Sequence, residues 1–169
     1  QTCALPIYGW VADMICALKG QKYFRWFDSG DCYHPLLAAK ILQVMQATPE
    51  TKHWLPTKSY KIPRIRIILE QMKTLANVSV RFSSDSMIGE YDADHGSTVV
   101  PYAETPTNAT MCEAYTRDGK CGDCRACWNK SVAVVAYPAH GSRMMAMVRR
   151  MNKDRKSTRL NSSHQIISY

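Results

Sequence analysis

The 169-residue sequence contains no apolar run approaching the ~20 residues that a membrane-spanning helix needs. It opens with no basic-then-apolar leader, so no secretory signal is expected and a cytoplasmic setting follows. No segment repeats at a solenoid period. Acidic side chains are scarce: 14 Asp and Glu stand against 22 Lys and Arg, for a net charge of +8. That balance favours anionic partners, nucleic acid among them, without identifying one. Seven cysteines are too few to scaffold a chain of this length through disulfides, and they are unevenly spread. With 46% hydrophobic, 21% charged and 9% aromatic residues, the chain reads as globular, with material for one core.

The two ends read as something other than protein. The chain starts with Gln1 rather than Met, which suggests a fragment. Arg155 to His164 back-translates to CGG AAG AGC ACA CGT CTG AAC TCC AGT CAC. The reverse complement of that stretch encodes VTGVQTCALP, and the chain itself opens Gln1-Thr2-Cys3-Ala4-Leu5-Pro6. Both ends therefore resemble opposite strands of one sequencing adapter, so 1–7 and 154–169 are set apart from fold reasoning. Setting aside Asp154, Arg155, Lys156 and Arg159 lowers the net charge from +8 to +6. Cys3 and His164 drop out as candidates.

Between the ends, 8–88 reads as β/α repeats. Tyr8–Lys19 carries Trp10, Met14, Ile15 and Leu18 at helical spacing, and Gly20 stops it. Tyr23–Phe27 reads as a strand, broken by Asp28-Ser29-Gly30-Asp31. A helix starts at Pro35 and stops at Thr48-Pro49-Glu50. Lys52–Leu55 is a second strand ended by Pro56, Ile62–Leu75 another helix, and Val78–Phe82 a third strand. Alternation of this kind predicts an α/β fold, a partial parallel (β/α) barrel-like sheet. Region 89–153 then reads as a loop to Thr110, with Ser97–Val100 a short strand. A cysteine-rich metal-binding loop, a last strand at Val132–Tyr137 and a Met-rich helix at Ser142–Met151 follow.

Cys121-Gly122-Asp123-Cys124-Arg125-Ala126-Cys127 is a double C-x2-C, with Cys112 upstream. A two-residue spacer lets neighbouring thiolates turn toward a common centre. Gly119 and Gly122 give the backbone freedom for the turns, and Lys120 and Arg125 could offset thiolate charge. Cys112, Cys121, Cys124 and Cys127 are thus candidate metal ligands. Spacing leaves zinc and an iron–sulfur cluster both open. Trp128 reads as core over the knot. Cys16, on a helix, reads as a small buried hydrophobe, and Cys32 as a packed thiol.

Function in parallel α/β folds collects where strands end. Asp28, Ser29 and Asp31 after the first strand, and His140 after the last, are candidate catalytic residues. Gly30, Thr57 and Ser83 are candidate cofactor-binding positions. If the strands are adjacent, these ends would line one crevice. Asp28 and Ser29 read equally well as turn formers, His53 as structural, and His34 as an exposed helix start. Lys61, Arg64 and Arg66 read as a solvated helix face.

Several motifs together resemble a family of phage and plasmid proteins. They are Phe24-Arg25-Trp26-Phe27-Asp28-Ser29-Gly30-Asp31, Lys52-His53-Trp54-Leu55-Pro56-Thr57, Val80-Arg81-Phe82-Ser83, the Cys121–Trp128 run and Tyr137-Pro138-Ala139-His140. Members of that family carry an N-terminal Cys-x-x-Cys-Tyr-Ala motif similar to the cluster-binding segment of radical S-adenosylmethionine enzymes. The resemblance implies a barrel with an auxiliary iron–sulfur cluster on the four cysteines and Asp28–Asp31 at its mouth. It also implies S-adenosylmethionine as a cofactor of the full-length parent, acting in the host cell. The present chain lacks the N-terminal motif, so as a fragment it would not perform that chemistry. Lys58 stands where an arginine is expected in relatives, which weakens any bidentate anion contact there. The other readings are a zinc-knuckle protein binding nucleic acid and a structural zinc site on an unrelated enzyme.

Overall fold

The structure, a computed structural model, describes residues 9–101, 108–142, 144–151 and 153. The two ends set apart in the sequence, 1–7 and 154–169, lie outside the described residues.

Helix α1 spans Trp10–Leu18, followed by Gly20 at a φ of 80°. Strand β1 is Tyr23–Arg25, shorter than the expected Tyr23–Phe27. Phe27 takes a left-handed φ of 57° and steers the chain out of the sheet. Helix α2, Pro35–Ala47, has Pro35 in its first turn, and His34 caps it: the imidazole accepts the Leu36 N–H at 3.2 Å.

Strand β2 is Lys52–Thr57, so Pro56 lies inside it rather than ending it. His53 donates its N–H to Asn77 O and Thr57 accepts from Ser83 N–H, so odd-numbered residues bond toward the third strand. Pro56 faces the other way, beyond the last bond to the first strand, Trp26 N–H to Trp54 O. Its missing donor therefore deprives the ladder of nothing. Helix α3, Pro63–Thr74, and strand β3, Val78–Phe82, complete the first half.

Strands β1, β2 and β3 form a parallel sheet in that order. Strands β4 (Ser97–Val100), β5 (Ala109–Met111) and β6 (Val134–Pro138) form a second parallel sheet with β6 in the middle. The expected barrel-like sheet is thereby corrected. Among the described residues the two sheets are joined by a parallel bridge between Ser83 and Ser97, flanked by Gly96 N–H to Phe82 O and Ser84 N–H to Ser97 O, both 2.9 Å. Among the described residues β1 and β5 remain unjoined edges, so no barrel closes. The βα repeat stops after β3 because the cysteine segment, with 3-10 turns at Ala114–Arg117 and Ala126–Trp128, stands where a crossover helix would be needed between β5 and β6. β5 falls in a stretch expected to be loop; three residues are too few to show a period.

Strand alternation sends residues to two different faces. Leu55, Val78 and Phe82 join Ile41, Met45, Leu69 and other helix residues in the main core. Trp54, Ser79 and Arg81 point the other way, and Trp54 packs there with Cys127 and Val135. The helices thus cover one face and the cysteine segment covers the other. The stretch 144–151 is helical apart from its undescribed neighbours, with Val148 buried. No described helix is long and apolar enough to cross a membrane.

Candidate metal centre and adjoining cleft

The cysteine segment is fixed to the second sheet at its start. Cys112 follows β5 and donates its N–H to Ala136 O at 2.8 Å. The chain then reverses through Asp118 (φ 52°) and Gly119 (φ 77°), both left-handed. The first C-x2-C closes on itself, Cys124 N–H to Cys121 O at 3.0 Å, with Gly122 at a φ of 54° inside it. Two guanidinium groups brace this turn. Arg117 donates to Cys121 O at 3.2 Å, and Arg125 donates to Gly122 O and Cys124 O at 2.6 and 2.7 Å. Arg117 is also paired with Glu113.

Cys127 is buried in the 3-10 turn against the sheet, and Arg81 holds it there. Arg81 is itself only 3% exposed. Its Nε donates to Cys127 O at 2.9 Å, one terminal nitrogen to Ala126 O and Asn129 O at 2.8 Å, and the other to Gly96 O, Val132 O and Ala133 O at 3.1, 3.0 and 3.4 Å. Trp128 pins the far side: its indole N–H donates to Phe24 O at 3.0 Å, and its ring meets Trp54 edge-on at 5.1 Å.

Together these supports place Cys112, Cys121, Cys124 and Cys127 around one small cavity of about 20 Å³, walled otherwise by groups such as Met111, Trp128 and Val135. All four are free thiols, as is the buried Cys32. Cys16 instead is disulfide-bonded and half-buried, which corrects its reading as a buried hydrophobe. Among the described residues no group of three or more His, Cys, Asp or Glu is arranged to hold a metal ion. Burial pushes the Cys127 thiol up, aided by Cys112 and Cys121, against the pull of the Tyr137 hydroxyl at 3.3 Å and of Arg81. Tyr137 is itself pushed well up by burial and by Cys127.

A larger open cleft, about 450 Å³, adjoins this cavity and shares Cys112, Cys121 and Cys127 with it. Arg25, Trp54, Pro56, Tyr137 and His140 border it in or just beyond β1, β2 and β6, and Tyr115 borders it from the Ala114–Arg117 turn. The Arg25 guanidinium lies 4.8 Å from the centre of the Trp54 ring, and His140 meets Tyr115 edge-on at 6.2 Å.

The strand-end candidates divide. His140 reaches the cleft beside the cysteines, and is exposed. The loop Asp28–Asp31 does not border that cleft. Asp28 is exposed, 3.6 Å from Arg25, and Ser29 is exposed. An added Cβ at Gly30 would meet nothing within 4 Å, so its φ of 79°, not a close approach, explains the glycine. Asp31 is occupied by the fold: it accepts from Cys32 N–H at 2.7 Å, Thr57 Oγ1 at 2.6 Å and Lys58 N–H at 2.6 Å. Thr57 in turn accepts Ser59 N–H at 2.9 Å. Ser83 accepts from Ser97 Oγ at 3.2 Å, and its carbonyl accepts the Tyr60 hydroxyl. The single expected crevice is therefore split, because Thr57 sits on the helix face while Trp54 and Pro56 sit on the cysteine face.

Lys61 and Arg66, expected as a solvated face, are paired with Asp85 and Asp94. Sequence reasoning assigned no role to Arg81, Arg25, Trp54 or Tyr137. Strand parity is the signal that finds them: in each strand the residues two apart share the cysteine face.

No curated protein and no solved structure matches the chain. The family model for Gene product 88 matches residues 6–130, which take in the first sheet, β4, β5 and all four clustered cysteines. That match covers well over half of the sequence, and the chain belongs to the Gene product 88 family of phage gene products.

Proposed function

We propose that Cys112, Cys121, Cys124 and Cys127 hold an iron–sulfur cluster. The observation that carries this reading is that all four thiols, from the end of β5, a C-x2-C turn and a 3-10 turn, line one cavity. The donor set fits the group: four thiols are the usual ligands of such clusters. The resemblance to radical S-adenosylmethionine enzymes favours a cluster over the single zinc ion that four thiols also bind. The surroundings suit it as well. Arg81, Arg117 and Arg125 stand close to the cysteine backbone, where positive charge offsets thiolate charge. Apolar groups such as Trp128 and Val135 limit access by water.

When bound, such a cluster supplies one-electron chemistry. The chain's own residues do the rest. Cys127 and Cys112 are anchored to the sheets, Cys121 and Cys124 are set by a braced turn, and the cleft beyond them offers Arg25, Tyr137 and His140 to a small substrate. By the resemblance to radical S-adenosylmethionine enzymes, the cluster would be auxiliary and S-adenosylmethionine would act in the full-length parent. A reducing host cytoplasm would keep the thiols available.

The test is anaerobic reconstitution of the chain with iron and sulfide, followed by metal and sulfide analysis and an absorption spectrum. Iron with matching sulfide and a visible charge-transfer band supports the proposal. Zinc alone, with no band, makes the knot a structural zinc site. Failure to retain either metal removes the centre altogether.

A further inference from the structure

Arg81 presents a problem that its hydrogen bonds do not solve. A guanidinium at 3% exposure has left water, and burying an uncompensated charge is costly. Six carbonyl oxygens satisfy its five N–H donors. Carbonyls are dipoles, however, and leave the net charge in place. Every ion pair found among the described residues involves other groups, and none brings a carboxylate to Arg81. A donor nearby does lack a partner. Trp54, on the same sheet face and in the same cluster as Cys127, is 5% exposed, and its indole Nε1–H has no acceptor. Native structures rarely leave such a group unsatisfied without a reason.

Both features lie on the face that carries Cys127. Resting on the reading of the four cysteines as a metal centre, we infer that Arg81 is the built-in counter-charge of that centre. A metal held by four thiolates is a negatively charged group, and a buried cation beside it needs just such a partner. Arg81 is thus a positioning and tuning residue. Its fork fixes the turn that carries Cys127, while its charge stabilises the thiolate-bound form and, for a cluster, the more negative reduced state. A methionine or leucine would fill the space, but only a permanent cation does both.

The experiment compares wild type, Arg81→Lys, Arg81→Gln and Asn129→Ala, each reconstituted anaerobically with iron and sulfide, with the reduction potential as readout. Asn129→Ala removes the bond from Ser131 N–H to Asn129 Oδ1 and loosens the same segment at an exposed position outside the cavity wall, without changing charge. Expected is a lower potential for Arg81→Gln, equivalent to about a tenfold change in the reduced-to-oxidised ratio, or about 59 mV for one electron. Arg81→Lys should stay near wild type, and so should Asn129→Ala. If Arg81→Gln fails to retain the cluster while Arg81→Lys and Asn129→Ala retain it, charge is again the cause. Equal potentials in all four proteins, or equal loss in Arg81→Lys and Arg81→Gln, would overturn the inference while leaving the cluster itself intact. A wild-type chain that takes up zinc instead defeats the iron reading alone. The inference is then read from chelator competition, where Arg81→Gln should hold zinc about tenfold less tightly than Arg81→Lys, and equal affinities overturn it.

Discussion

Trp26 donates its indole N–H to Nδ1 of His53 at 3.2 Å, and this bond fixes the charge state of a histidine that water does not reach. With Nδ1 accepting, the proton sits on Nε2, which faces Thr48 Oγ1 at 2.9 Å. Thr48 passes its own proton to Val44 O at 2.7 Å, so the chain of donors is complete with a neutral ring. Burial pushes the His53 pKa down from 6.5 to about 4.

A pH dependence follows. Below about pH 6.5 the unfolded chain takes up a proton at this histidine that the folded chain refuses until about pH 4. Stability from this group is therefore complete above the upper value and is lost as pH falls through the window. The full loss is on the order of 3 kcal/mol. Urea unfolding at pH 7, 5.5 and 4.5 should show it, and His53→Gln should flatten it. An equal slope in both proteins would contradict the assignment.

Gly96 has a steric duty toward Arg81. A Cβ there would stand 3.1 Å from the Arg81 Cα, Cβ and Cγ atoms. Arg81 cannot give way, because its guanidinium is held at its far end by six carbonyls. Gly96→Ala should cost about 1–3 kcal/mol by overpacking. A thermal melt would show a clear drop in Tm. An unchanged Tm would mean that Arg81 is less firmly seated than its bonds imply.

Asp31 and Asp28 lie three positions apart and should behave differently. Asp31→Ala strands Thr57 Oγ1 and two backbone N–H donors, at a cost of about 1–3 kcal/mol. Asp28→Ala touches an exposed side chain and should stay within about 0.5 kcal/mol. Neither should alter metal content. Equal unfolding midpoints for the two variants would remove the structural role given to Asp31.

The first half of the fold was legible because its periods are long. β3 and β4 span the expected residues, and α2 and α3 differ from expectation by a residue or so at their ends. The barrel-like sheet was expected and is not there, since nothing local states that β5 to β6 is bridged without an α-helix among the described residues. The cysteine set was visible from spacing alone, and the structure gathers those four around one cavity. The cleft was half visible. Polarity at strand ends drew attention to Asp31, Thr57 and Ser83, whose polarity is used up in turns and bridges. Arg25, Trp54 and Tyr137 lie on the other face, and their importance depends on a loop far away in sequence. Arg81 looked like an ordinary strand residue because its partners are backbone carbonyls, which no sequence displays.

Thiol reactivity should separate the cysteines in the metal-free chain. Cys124 is exposed, whereas Cys32 is 1% exposed, with burial and Asp31 pushing its thiol up against the His34 carbonyl. Timed alkylation with peptide mapping should label Cys124 first and Cys32 last. Cys32 reacting as fast as Cys124 would place it outside the core.

The most direct measurement is native mass spectrometry of anaerobically reconstituted chain across five single variants. Cys112→Ala, Cys121→Ala, Cys124→Ala and Cys127→Ala should each lose or degrade the iron–sulfur mass increment, and Cys32→Ala should keep it in full. The account is contradicted if wild type carries no iron–sulfur increment, or if all five variants carry the same one.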